Sequence, residues 1–413
     1  MKFDTIIIGG GLSGLTCGIA LAQQKQRVAI INAGQSTLHF NSGSLELLGY
    51  DENGDLVDAP LKAIPLLSNM HPFHKLNAID CLAKEAKLLL NAAGLVMKGS
   101  AEANHYRLSP IGINKPAWLT MDGLVQSTTP ETLPWKRVTI ANIAGFLDMP
   151  IAFLSANLQR MGVAVDVQTF TTKALEEARK SPSEMRATNI AKVLADETGL
   201  EEVAQALNAL SIQGEVLLLP SVLGLADDAV RAHLQQHVRH ALHYVATMPP
   251  SVPGVHIQTK LRQYFQQLGG LYVLSDTVCA GVFEDNRLVA VQTEKMVEEK
   301  LYADDFVLAS GSFQSRGLKS NYNEVYEPIF HADVDAVQDR SAWTAAYVYD
   351  EQPYMKFGVH TDSQFLVSRE GRVQTNLYAA GSILSGHNAF KLADGTGVSM
   401  LTALQVAHNI LKK

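Results

Sequence analysis

The residues best able to do chemistry stand near the two ends of a 413-residue chain. Close to the start, Gly9-Gly10-Gly11-Leu12-Ser13-Gly14 fits G-x-G-x-x-G at Gly9, Gly11 and Gly14. The first glycine permits a tight turn, the second lets backbone approach a phosphate, and the third lets helix and strand pack closely. The helix that follows would offer unpaired N–H groups and the positive end of its dipole to an anion. Asn32 stands where a dinucleotide reader places Asp or Glu on a ribose hydroxyl. An amide hydrogen-bonds there without charge, which weakens the case for an adenine dinucleotide and keeps a mononucleotide open. His39 and the small, donor-rich Ser42-Gly43-Ser44 come next, suited to a phosphate or to the edge of a planar ring. His39 could pass a proton, or be a loop histidine satisfied by a neighbouring carbonyl. Late in the chain come Gly311, the pair Gly381-Ser382, and Asp394-Gly395-Thr396-Gly397 at the head of a helix, where Asp394 or Thr396 could serve as an ordinary cap.

Apolar patterning supplies the elements that would position these residues. Residues 5–9 and 27–32 read as continuously apolar strands on either side of a helix over 12–23, the signature of a parallel sheet buried on both faces. The same grammar returns late: a helix over 254–268, a strand over 271–275, a hairpin of 278–284 and 288–293, strands over 305–309 and 376–380, and a closing helix over 398–411. Between them, a helix over 77–93, a strand–helix–strand unit over 137–169 and a strand over 216–220 make an insertion. The expected fold is α/β, a Rossmann-like domain (1–60, 254–320 and 370–413) carrying an inserted second α/β domain (61–253 and 321–369) for substrate or interaction. The turn over 248–254 is the expected return linker.

Composition narrows the function classes. A net charge of −7, with 34 basic against 41 acidic residues, argues against nucleic acid. Cys17, Cys81 and Cys279 are too few and too dispersed for a disulfide framework, a structural zinc site or an iron–sulfur cluster, so no metal is expected. No apolar run reaches the ~18 residues that span a bilayer, and no cleavable leader is visible. The expected compartment is the reducing cytosol.

The N-terminal unit, Leu308-Ala309-Ser310-Gly311 and Leu377-Tyr378-Ala379-Ala380-Gly381-Ser382 together resemble the flavoproteins of glutathione-reductase-like fold. In that class the late motif ends Gly-Asp, and the Asp binds the ribityl chain. Here Ser382 stands in its place, a weaker partner. The resemblance implies that Gly395, Thr396 and Gly397 face the N1/O2 edge of the ring and that residues 36–48 pass the phosphate and ring, where His39 could even tether the flavin. A second resemblance is more specific. Phe3-Asp4-Thr5, Leu38-His39-Phe40, Ser42-Gly43-Ser44-Leu45, Gly224-Leu225-Ala226-Asp227-Asp228, Pro249-Pro250-Ser251-Val252 and Ala309-Ser310-Gly311-Ser312-Phe313 occur in this order. In that combination the chain resembles the B-subunit family of bacterial anaerobic glycerol-3-phosphate dehydrogenases. That resemblance implies oxidation of sn-glycerol 3-phosphate to dihydroxyacetone phosphate and electron delivery to quinone. It further implies FMN, with FAD the alternative, a catalytic A subunit, and an iron–sulfur C subunit that anchors the complex. Membrane contact would come only through that partner, placing the chain peripheral to the inner membrane on the cytoplasmic side.

Alcohol oxidation needs a base and cations for the phosphate dianion. Arg186, and behind it Arg262, are the candidate phosphate holders; His39 is the first candidate base, ahead of His71 and His331. So thin a constellation raises an electron-relay role for the chain. Two further readings stay open at this point: a stand-alone flavin oxidoreductase for another small substrate, and an assembly protein that has lost its cofactor.

Overall fold

The computed structural model describes residues 2–227, 229–296 and 298–413; Asp228 of the quoted Gly224–Asp228 motif lies outside them. The chain divides into two compact units: residues 1–37, 46–95 and 260–413, and residues 38–45 and 96–259.

The first unit is built on one mixed sheet. Strands Leu271–Leu274, Val28–Asn32, Lys2–Ile8 and Leu301–Leu308 lie side by side and parallel. The outer edge of Leu301–Leu308 is shared. Its first half pairs antiparallel with Arg287–Thr293, the inner arm of the hairpin with Val278–Glu284. Its second half pairs parallel with Arg372–Ala379. Ile6, Ile7 and Ile30 are wholly buried, as a sheet covered on both faces requires. Helix Leu12–Gln23 packs against the last helix, Gly395–Leu411. Gly18 sets how closely it sits: a Cβ there would come within 2.8 Å of Ile30 and 3.1 Å of the Phe265 ring.

The second unit carries four parallel strands in the order Ala164–Phe170, Arg137–Ile143, Val216–Pro220, Leu242–Val245. Helix Ile151–Arg160 packs on Ala164–Phe170, with Leu154 and Leu158 buried, and helix Glu197–Asn208 packs on Ala229–His237, with Val203 and Leu207 buried. A small antiparallel sheet joins Ser44–Leu45, Leu119–Met121 and Met97–Lys98.

The α/β class and the Rossmann-like beginning stand as expected. The domain limits differ, for three reasons of hydrogen bonding and packing. Helix Ile79–Ala92, expected in the insertion, packs on Gly395–Leu411 and belongs to the first unit, with the Asn77 amide donating to Gln405 Oε1 at 2.9 Å. Segment 321–369, also expected in the insertion, is tied to the first unit by its backbone. Val334–Asp335 pairs with Gly358–Val359, Val359 donates to the Ile383 carbonyl, and Leu366–Arg369 pairs with Arg372–Ala379. Residues 38–45, expected with the first domain, join the second unit because Ser44 and Leu45 pair with Thr120 and Leu119. The chain returns through helix Val252–Gln267 rather than a free linker.

Phe265, fully buried against Gly18 and Gly270, anchors that helix in the first unit. Phe265→Ala should cost about 3–5 kcal/mol, read as a lower urea midpoint.

Candidate functional site

The candidate residues of the first unit collect at the carboxyl ends of its parallel strands, the edge where open α/β sheets take ligands. Gly9 has φ +114°, and a Cβ on it would stand 2.2 Å from the Ala309 carbonyl oxygen. A Cβ on Gly14 would stand 1.9 Å from the Gly9 carbonyl oxygen. Gly381, φ +80°, would likewise strike Ser13 Oγ at 1.9 Å, and a Cβ on Gly311 would lie 3.6 Å from Ser382 Oγ. Loops 9–14, 309–311 and 381–382 are thus brought into contact. Gly11 differs from its neighbours: beyond it the nearest atom is Ser36 Cβ, 3.8 Å away, so the space in front of it is open. It caps helix Leu12–Gln23 with no side-chain bond, leaving the first-turn amides free for an anion. Ser310 Oγ is buried nearby with no partner among the described residues.

Asn32 ends its strand, buried, with Nδ2 donating to the Gly34 carbonyl at 2.7 Å. Its Oδ1 remains an acceptor for a hydroxyl. An open phosphate cradle, uncapped helix amides, an orphaned hydroxyl and this acceptor fit a nucleotide-bearing flavin.

The Asp394-Gly395-Thr396-Gly397 turn is more heavily engaged than its sequence implied. Thr396 Oγ1 accepts the Glu46 amide at 2.6 Å, and Gly397 donates to the Glu46 carbonyl at 2.7 Å. The first-turn amides of Gly395 and Thr396 have no intrahelical acceptor. Asp394 occupies the cap position without capping through its side chain. Its carboxylate is fully buried between two imidazoles instead, His71 Nε2 at 2.8 Å and His387 Nδ1 at 3.4 Å. The Phe73 amide donates to His71 Nδ1, so that nitrogen carries a lone pair and Nε2 carries the proton given to Asp394. Burial alone would raise the Asp394 carboxyl, but the His387 and His71 imidazoles beside it outweigh burial and hold it well below the usual carboxylate range. Burial pushes His71 below its ordinary 6.5, against the pull of Asp394.

In the second unit, His39 lies half-buried in the turn Thr37–Phe40 and bonds the Gln258 side chain; burial lowers it. Gly43 has φ +86° and is walled by Leu124 and Pro253. Ser44 is fully buried, its Oγ accepting from Thr120 Oγ1 at 2.9 Å, with His105 Nε2 2.7 Å beyond. Burial takes His105 down to about 4. Ser42 is half-buried in the same turn. Arg186, the expected phosphate holder, binds buried Asp148 at 3.0 Å, while the other oxygen of Asp148 accepts the Ala187 amide at 2.7 Å. Its guanidinium serves that helix start, so the structure gives it a structural partner in place of a substrate. Arg262 lies over the Tyr272 ring at 5.9 Å, and His331 is exposed.

Sequence reasoning passed over His387. His387 had a weak signal, Gly386-His387-Asn388 just ahead of the Asp394 turn, whereas the His71–Asp394 pair spans 323 positions and has no local spacing to reveal it. Among the described residues no group of three or more His, Cys, Asp or Glu is placed to hold a metal ion, and no helix is long and apolar enough to cross a membrane.

Both His71 and Asp394 titrate below their unfolded values, so the folded state binds fewer protons and acid destabilises it. The His71 share is present above about 6.5 and falls away as pH drops through its lower folded value; the Asp394 share goes only below about 3.9. The unfolding free energy should therefore fall between pH 7 and 5, and His71→Gln should flatten that slope. Asp394→Ala should cost about 3–5 kcal/mol by stripping a buried partner, read by urea unfolding at pH 7.

Comparison with known proteins agrees with this geometry. The family described as "FAD binding domain" matches residues 4–398, which points to FAD and not to the FMN expected from the resemblance. A Yersinia pseudotuberculosis protein named as the B subunit of anaerobic glycerol-3-phosphate dehydrogenase is 39% identical over 100% of this chain and 99% of its own. The protein of the same name from Haemophilus influenzae strain PittEE is 36% identical over 100% of both. A crystal structure of 3-ketosteroid delta1-dehydrogenase from Sterolibacterium denitrificans covers 100% of both chains at 10% identity with TM-score 0.42, too slight a likeness to bear argument. From the sheet edge, the phosphate cradle and these end-to-end matches, the chain belongs to the FAD binding domain family and, within it, to the B-subunit family of anaerobic glycerol-3-phosphate dehydrogenases.

Proposed function

We propose that the protein is the B subunit of a quinone-linked anaerobic glycerol-3-phosphate dehydrogenase. In this reading it takes part in oxidising sn-glycerol 3-phosphate to dihydroxyacetone phosphate and passes electrons toward an iron–sulfur membrane subunit. The end-to-end match to relatives of that name carries the proposal. Its partners are a catalytic A subunit and an iron–sulfur C subunit, and its place is at the cytoplasmic face of the inner membrane, held by a partner.

The cofactor proposed is FAD. Gly9, Gly11 and Gly14 would admit its pyrophosphate to the helix amides, Asn32 its adenosine ribose, and Gly311, Gly381 and Ser382 its ribityl chain. Gly395, Thr396 and Gly397 would present the last helix to its ring. When bound, the flavin supplies the two-electron acceptor for the hydrogen on C2. The chain must receive the hydroxyl proton. His387 suits this better than His39, because its Nδ1 faces Asp394 while its Nε2 has no partner among the described residues.

Acid extraction of the purified protein followed by chromatography should release FAD. Gly11→Val, which adds a side chain into open space, should leave the fold intact and empty the flavin site. Released FMN would overturn the cofactor assignment, and a complex that leaves quinone unreduced with glycerol 3-phosphate would overturn the activity.

A further inference from the structure

The first unit holds a cavity of about 420 Å³, within the range that small-molecule sites occupy. Gly386 and Asn388, on either side of His387, line it. Met70 and Leu392 supply apolar wall, and Lys356 and Lys391 stand at its rim.

Both ammonium groups are held by one carboxylate. Glu351 Oε1 lies 2.5 Å from Lys356 Nζ, and Oε2 lies 2.7 Å from Lys391 Nζ. One oxygen to each cation is how two lysines clamp an oxyanion. Glu351 belongs to a loop whose hydrogen bonds close on itself: Gln352 takes the Ala345 amide on its side-chain carbonyl and gives its own amide to Tyr347 and Asp350. The loop's tip is open to solvent, with Tyr349 98% exposed. The other acids of the cavity wall already have donors. Asp335 takes Ser385 Oγ at 2.6 Å and His360 Nδ1 at 2.8 Å, and Glu52 takes the Ser68 amide at 2.9 Å. Both lysines are part-exposed, Lys391 at 30% and Lys356 at 45% of the side chain. The hydrogen bonds of the two lysines hold the Glu351 carboxyl below its usual range, so it is ionised whenever the clamp is closed.

We propose that this cavity is the site of a small phosphate monoester, with Lys356 and Lys391 holding the phosphate and Glu351 occupying that position as an internal surrogate until the ligand displaces it. The proposal rests on the functional reading above and deepens it: the phosphate end of the substrate is bound by this chain, in the cavity lined by Gly386 and Asn388, through lysines rather than Arg186. Displacement exchanges one carboxylate for a phosphate dianion, so the cations stay paired in both states. The internal hydrogen bonds of the loop that carries Glu351 do not involve either lysine.

Isothermal titration of the purified full chain with inorganic phosphate, glycerol 3-phosphate and glycerol tests this. Phosphate and glycerol 3-phosphate should bind and glycerol should not. Lys391→Met and Lys356→Met should each weaken binding about tenfold, and added salt should weaken it further. Glu351→Gln should tighten binding several-fold, a sign that misfolding cannot produce. Absence of binding in Glu351→Gln, or affinities unmoved by either lysine change, would overturn the site. The functional reading is scored separately, by reduction of a quinone analogue in the assembled complex. Phosphate binding with no glycerol 3-phosphate oxidation sinks the function and leaves the site standing. Unimpaired oxidation by the complex carrying Lys391→Met and Lys356→Met sinks the site and leaves the function.

Discussion

Close approach of three loops at the carboxyl edge of one parallel sheet is the constraint from which the first unit's chemistry follows. The loop after Lys2–Ile8 runs against the end of Leu301–Leu308, and the loop after Arg372–Ala379 runs against Ser13. At these crossings a single methyl group would overlap backbone or hydroxyl by an ångström or more, so glycine is required on steric grounds. Where the loops do not touch each other, at Gly11, the same flexibility leaves a hollow in front of unpaired amides. Packing and ligand capacity are therefore two results of one arrangement.

The buried Asp394 carboxylate extends the same logic to the last helix. A charge removed from water must find donors, and here two imidazoles from distant parts of the chain supply them. Their contacts offset the cost of burying the charge, and in doing so fix the His71 tautomer and hold residues 71 and 387 against the helix start. Chemistry that needs an oriented imidazole can use His387, whose ring is already aimed by a carboxylate. The lysine pair at the neighbouring cavity uses the opposite solution: its charges stay part-exposed and share one acid from a solvent-facing loop.

Local pattern and covalent order determined much of this protein. The G-x-G-x-x-G loop, its flanking apolar strands, the late hairpin and the closing helix follow from spacing, because periodicity and glycine sterics act over a few residues. The end-to-end family membership was legible for the same reason, as a series of short motifs in fixed order. Tertiary structure alone decided which unit each segment joins. Residues 321–369 carry only short strands, and their allegiance comes from pairing with Arg372–Ala379 across the fold. It alone engaged Arg186 with Asp148, sealed Ser44 behind Thr120, and gathered His71, His387 and Asp394 around one charge. A buried charge selects its partners by distance in space, and separation along the chain leaves no periodic trace of that choice.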